Sequence, residues 1–417
     1  MISVKRRLAG NVAWLLGEYL IKLLSGLLVG ALVARSLGVE GYGVFQYSLG
    51  LVLVFSSISF VCGSEVVVPR VISLPKVEKE ELIKNAFILR VLFSVVAVIL
   101  LLLFDSFSGE RATASLIVIL GLTILFNEPS AIVSAWLQGE SNNRPKTVVA
   151  NVASIVKVLL VYLLYEIQVR GLYAYGFAWL IESIILAVGL AYIYKRHFPT
   201  AGGRWSFSGV KELFSAGLPF FGAIVLNYLY LRLDLVLLRH LGTKTALGYY
   251  ASAMQVLLAT TALSGVFISA AAPLLVYRAN NRIQEKKGLI ILLLGALMLG
   301  ASVAIVGFFL LPWLLTVLFG ERFIGAIPLL RWLLFGSIFL YVDAALSVFL
   351  IKRRRGHLLA IKWLIVILVS LPVHIYFIPK YLEYGAVMGY VAGYVAACII
   401  SFLFIFHIRK ETLTYGV

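Results

Sequence analysis

Apolar stretches of about twenty residues recur from one end of this chain to the other, each broken by a short polar interval. That length spans the hydrocarbon core of a bilayer as an α-helix, and no alternating strand pattern competes with it. Twelve spans are predicted, at about 11–34, 41–63, 82–104, 112–137, 146–166, 171–194, 211–238, 246–276, 288–312, 326–350, 358–378 and 384–407. The polar intervals alternate in charge. One set carries Lys5, Arg6 and Arg7, then Arg70 to Lys84, Arg144 and Lys146, Lys195 to Lys211, Arg278 to Lys287, Lys352 to Arg355, and Arg409 and Lys410. The opposite set holds only Arg35, Arg111, Arg170, Arg239, Lys244, Arg322 and Lys380. Basic loops beside spans stay cytoplasmic, so the chain is expected in the cytoplasmic membrane with both termini on the cytoplasmic side.

Composition agrees with the pattern. The 417 residues are 62% hydrophobic and 13% charged, with mean hydropathy +1.01; a soluble chain keeps about a quarter of its residues charged. The net charge of +17 would suggest nucleic acid in a soluble domain, but here topology accounts for it, so no nucleic-acid partner is expected. Cys62 and Cys398 lie in apolar stretches without metal-ligand spacing and read as small hydrophobes. "MISVKRR" leads into a segment too long for a signal peptide, so the first span is expected to be retained.

A junction is written twice. "ARSLGVEGYGVFQYS" (Ala34 to Ser48) joins spans one and two, and "LRHLGTKTALGYYAS" (Leu238 to Ser252) joins spans seven and eight. Both carry Arg, Leu and Gly, then a Gly beside an aromatic. A second echo links "RGLYAYGFAW" (Arg170 to Trp179) to "EYGAVMGYVAGY" (Glu383 to Tyr394). Chance recurrence of glycine turns and interfacial tyrosines is the plain alternative. Two echoes in register instead predict parallel six-helix repeats: an N-terminal lobe over 1–196, a Pro/Gly-containing cytoplasmic linker over 197–210, and a C-terminal lobe over 211–417.

Ionisable side chains at span depth need a partner, water or a role. Glu18 and Lys22 share a face of span one at i,i+4 spacing; they would either form a private pair or line a lumen, where Lys22 would meet an anionic group such as a diphosphate. Lys157 joins them in span five. In span seven Asn227 and Asp234 share a face while Arg232 points nearly opposite. Glu128, beside Pro129, is a candidate cation-coupling acid or part of a bent packing helix; Glu182 and Asp343 are further coupling candidates, for H+ or Na+. Glu65, Arg90, Arg331 and Lys362, nearer helix ends, are expected to snorkel. No nucleotide-binding loop, zinc motif, nucleophile elbow or Cys/His cluster is present, so neither an enzyme, a metal site nor an organic cofactor is expected.

"ARSLGVEGYGVFQYS", "LFSAGLPFF" (Leu213 to Phe221) and "RLDLVLLRHLGTKTALGYYASAMQV" (Arg232 to Val256) resemble polysaccharide-type flippases of the multidrug/oligosaccharidyl-lipid/polysaccharide exporter superfamily. The resemblance implies two six-helix bundles forming a V-shaped, MATE-like cavity. It further implies alternating-access transport of a polyprenyl-diphosphate-linked oligosaccharide by a monomer in contact with membrane lipids and with polymerases and glycosyltransferases of its pathway. The family-like positions are Arg35, Gly38, Gly43, Pro219, Asp234, Gly242, Gly248 and Tyr250, expected to be mainly structural. An ion-coupled drug antiporter of the same superfamily and, in a different class, a membrane glycan polymerase remain as alternatives; the first would need a cavity acid in the N-terminal lobe, the second a long outside loop. Cysteines introduced at Ser206 and Glu321, with Cys62 and Cys398 replaced, should label from opposite faces of sealed vesicles, Ser206→Cys from the cytoplasmic one; labelling of both from one face would contradict the twelve-span order.

Overall fold

The computed structural model describes residues 2–108, 111–198, 203–277, 281–353 and 356–414, leaving aside the side chains of residues 2–13, 15, 16, 108, 111, 112, 282 and 409–414. Of the expected linker, residues 199–202 lie outside this description, as do Arg278, Arg354 and Arg355. The described elements are helical: α1 (Ile2–Ser56), α2 (Ser64–Ser73), α3 (Lys76–Ser108), α4 (Arg111–Gly139), α5 (Arg144–Glu166), α6 (Leu172–His197), α7 (Phe207–Leu241), α8 (Lys244–Ala272), α9 (Arg282–Phe319), α10 (Ala326–Lys352), α11 (Gly356–Tyr381) and α12 (Glu383–Thr414).

Eleven described segments are long and apolar enough to cross a bilayer. The first, Gly17–Ser73, holds the length of two. At Gly38 the backbone leaves helical geometry (φ 69°, ψ −177°), splitting α1 into two pieces. An L side chain rarely adopts that φ, so glycine sets the corner here. Spans one and two are thus joined by one residue, and the segments together supply the twelve expected spans. The chain is a multi-pass, all-helical membrane protein.

The sequence pattern treats residues after Gly63 as loop, whereas α2 forms there. The Gly63 amide donates to the Glu65 side chain at 2.9 Å, an acid in the first turn satisfying a backbone donor left open at the helix start. Thr243 and Asn281 do the same for α8 and α9, accepting from the amides of Ala246 (3.1 Å) and Gln284 (2.8 Å).

Contacts divide the chain into two units, Met1–Leu37 with Ser48–Val225, and Gly38–Tyr47 with Leu226–Val417. In the first, α4 packs against α3, α6 and α2, and α5 against α6. Its core gathers Val67, Ile83, Leu89, Trp136 and Leu190 with Phe198 and Leu213, so the start of α7 packs with the helices preceding it. In the second unit α10 is central, touching α8, α9, α11 and α12, and α11 pairs with α12.

The doubled junction has a physical reason in the second unit: its two glycines are where the two stretches meet. A Cβ on Gly43 would lie 2.6 Å from the Gly248 nitrogen, and one on Gly248 would lie 2.1 Å from the Val39 carbonyl oxygen. Tyr42, fully buried, then packs edge-on against Phe319 and Phe323 at 5.6 and 5.9 Å. Backbone-to-backbone approach of this kind replaces water-driven burial where the surroundings are lipid. Gly248→Ala should lower thermal stability in detergent by about 1–3 kcal/mol, and Gly248→Val more, through forced separation of the two backbones; unchanged melting of both variants would show that the crossing tolerates a side chain.

Candidate functional site

The intramembrane charges are held as pairs built across helices. Glu18 on α1 is 5% exposed and accepts from Lys22 at 2.8 Å and from Thr147 of α5 at 3.0 Å, with Lys146 at 3.5 Å. Lys22 is thus paired, one of the two alternatives its spacing left open, though its side chain is 52% exposed. Lys157 of α5 meets Glu182 of α6 at 2.7 Å, Ser154 adds a hydrogen bond of 3.1 Å, and the Lys157 ammonium sits 5.2 Å from the Trp179 ring centre.

Two residues expected to snorkel do not. Arg90 on α3 is 5% exposed; it donates to Glu128 at 3.0 Å and to the Cys62 carbonyl at 2.7 Å, where η1, the turn at Ser57–Val61, has ended. Lys362 on α11 is fully buried. It bonds Asp343 of α10 at 3.0 Å and Ser347 at 2.9 Å, while Ser401 of α12 donates to the same Asp343 at 2.9 Å. Burial costs less than snorkelling where an acid on the facing helix is already short of a counter-charge. Glu128, Glu182 and Asp343, the coupling candidates, therefore each hold a basic partner. Arg331 is exposed, 4.5 Å from the Phe308 ring centre.

Span seven differs. Asp234, 4% exposed, accepts from the Tyr250 hydroxyl of α8 and from the Leu235 amide. Tyr250 is thus the structural partner of an acid two turns from the junction. The Arg232 Nε is buried with no hydrogen-bond partner, and Arg232 makes no ion pair among the described residues. Its electrostatic neighbours are Asp234, Tyr250, Tyr42 and Tyr228. Arg232, expected to point nearly opposite to Asp234, shares Tyr250 with it as a neighbour. Asn227 is half-buried on the same helix. Among the family-like positions, Arg35 is exposed, Pro219 lies exposed within α7, and Gly242 closes the last turn of α7, its amide donating to the Leu238 carbonyl at 3.0 Å.

Sequence reasoning missed His374, assigned no role. On α11 it is 1% exposed, its Nδ1 lies 2.8 Å from the Ser370 carbonyl, and its Nε2 is buried without a partner. It packs on α12 because residue 389 is glycine: a Cβ there would fall 2.2 Å from the imidazole. The signal was the four-residue glycine spacing of Gly385, Gly389 and Gly393 in α12, which marks a close helix crossing.

This fold is shared with solved membrane transporters. The chain is similar to an inward-facing multidrug resistance MATE family transporter of the MOP superfamily (TM-score 0.72, 17% identity, covering 96% of each chain). It is also similar to the lipid II flippase MurJ in an inward closed conformation (TM-score 0.70, 15% identity, covering 94% of this chain and 87% of that one). A third likeness is to a MOP superfamily transporter from Pyrococcus furiosus whose binding pocket is described as having reversed polarity (TM-score 0.61, 17% identity, 98% and 96% covered). No curated protein matches the chain. Residues 8–277 match the family described as "Polysaccharide biosynthesis protein", and the chain belongs to that family.

The Asp343–Lys362 pair gives a direct test of pairing in the second unit. Asp343→Ala should destabilise by about 3–5 kcal/mol by leaving a buried ammonium uncompensated. The double variant Asp343→Leu, Lys362→Met should recover most of that loss in thermal unfolding; additive losses would mean that the two side chains do not act as a pair.

Proposed function

We propose that the protein is a flippase, carrying a polyprenyl-diphosphate-linked oligosaccharide, a precursor of a surface glycan, across the cytoplasmic membrane by alternating access. Both termini lie on the cytoplasmic side under this reading, and the two halves of the chain act as the two lobes of the transporter. Family membership and the fold shared with a lipid II flippase support it.

The observation that carries it is the state of Arg232. A guanidinium in the apolar part of a membrane protein needs an anion, and Lys22, Arg90, Lys157 and Lys362 have theirs. Arg232 has a buried, unsatisfied Nε and three tyrosine rings in its field, a setting suited to a diphosphate approached by one planar fork of donors. Tyrosine hydroxyls add neutral donors to the same anion. The prenyl chain stays in lipid while the sugar crosses through water. Lys22, half exposed beside Glu18, is a secondary contact whose charge is already shared. The intramembrane acids described above are each engaged, which fits an anionic passenger better than a cationic drug.

In sealed vesicles loaded with lipid-linked oligosaccharide, Arg232→Ala should slow flipping about 10- to 100-fold, the value of one charge-assisted contact, with Arg232→Lys intermediate. Lys22→Ala should act more weakly. Wild-type flipping by Arg232→Ala would remove the proposed diphosphate contact; transport of organic cations in place of the glycolipid by the unaltered protein would favour an antiporter.

A further inference from the structure

A cleft of about 500 Å³ opens in the first unit between α3, α4 and α6, away from the charges discussed so far. Its walls are apolar side chains, among them Phe87, Phe126, Val133 and Val188, with Val188 63% exposed at its mouth. The notch lies beside Pro129 of α4, where a ring replaces the amide that would otherwise bond one turn back. At one end the walls give way to Lys84, Lys195 and Trp205.

That end is built rather than incidental. The chain just past residue 202 is fastened to α3: the Gly203 amide donates to Glu80 at 3.1 Å, Lys84 donates to the Gly203 carbonyl at 2.7 Å and pairs with Glu80 at 2.7 Å, and the Ser206 amide donates to Asn85 at 2.9 Å. A Cβ on Gly203 would lie 2.9 Å from the Glu81 nitrogen, so the backbone runs directly on the helix. These bonds hold Trp205, 59% exposed, over the rim. They consume the charge of Lys84 but leave Lys195 and Arg204, both exposed, without an acidic partner among the described residues. The cleft therefore combines an apolar slot, an interfacial indole and the uncommitted Lys195, with the uncommitted Arg204 next to Trp205 in the chain.

We propose that this cleft binds an anionic glycerophospholipid of the adjacent leaflet, one acyl chain in the slot and the headgroup phosphate between Lys195 and Arg204, with Trp205 at the glycerol level. Charge complementarity selects the occupant. A zwitterionic lipid fills the slot equally well but carries an ammonium that two cations repel, whereas anionic lipids gain from each basic residue near the surface. An indole held at the depth where chain meets headgroup suits a lipid standing upright in its leaflet. The site lies outside the proposed transport contacts, so its occupancy is a property separate from flipping.

Native mass spectrometry of the full-length protein in detergent, titrated with phosphatidylglycerol or phosphatidylcholine, reads this without any transport assay. Phosphatidylglycerol should be retained preferentially. Lys195→Ala and Arg204→Ala should each weaken its retention about fivefold and leave phosphatidylcholine unaffected. Val188→Trp, which fills the slot from a lipid-facing position, should weaken both lipids while thermal stability without added lipid is kept. Equal retention of the two lipids by the wild type, or unaltered phosphatidylglycerol binding in the Lys195→Ala, Arg204→Ala double variant, would overturn the proposal. So would retention of undecaprenyl phosphate at a concentration where phosphatidylglycerol does not bind, since the occupant would then be the carrier lipid.

Discussion

A charge inside a bilayer has to be answered by another helix, because no water is there to answer it. This constraint organises both units. Glu18 is reached from α5, Glu128 from α3, Glu182 from α5 and Asp343 from α11 and α12. Each bond fixes the rotation of two helices about their long axes, something hydrophobic contact between lipid-like side chains specifies poorly. Polar pairs here serve as register marks, and the apolar surface between them is free to vary in shape. Arg232 stands out against this background: its buried Nε finds no hydrogen-bond partner, and Asp234, its nearest charge in effect, is bonded to Tyr250 instead.

Close approach of backbones is the second organising feature, and it accounts for the repeated junction. Gly43 and Gly248 are written into corresponding places because the two stretches that hold them cross at those residues. The resemblance between the stretches is thus tied to a shared contact within one unit. Tyr42 and Tyr250, each following from its junction, are fully buried and border the Arg232–Asp234 region, so the junction also delivers aromatic hydroxyls to the polar centre of span seven.

Much of this was legible in the chain. Span number and helical class follow from apolar segment lengths, and the Glu18–Lys22 pair from its i,i+4 spacing, since both partners lie on one element. The remaining pairs were not legible because their members are 19 to 38 residues apart on different helices, and nothing in either helix alone indicates which face meets which. Arg90 and Lys362 show the consequence. Judged by distance from a helix end, each should reach for the interface, yet a facing acid holds it inside. His374 was hidden for a related reason: the groove that receives it is made by an absence of side chains at Gly389 on another helix. The α2 helix was missed because Glu65, read as a snorkelling charge at the end of a span, instead caps a new helix by accepting from the Gly63 amide.

The join between α11 and α12 carries a consequence for how the chain assembles. A single residue, Leu382, separates the two helices, its backbone in the left-handed region (φ 51°), and glycines on α12 receive Phe377 and His374 of α11. Pairing this hairpin closes almost no loop, so the entropic charge against it is minimal. The two helices can therefore pair locally, and together they set Lys362 and Ser401 side by side as the socket that Asp343 of the preceding α10 occupies.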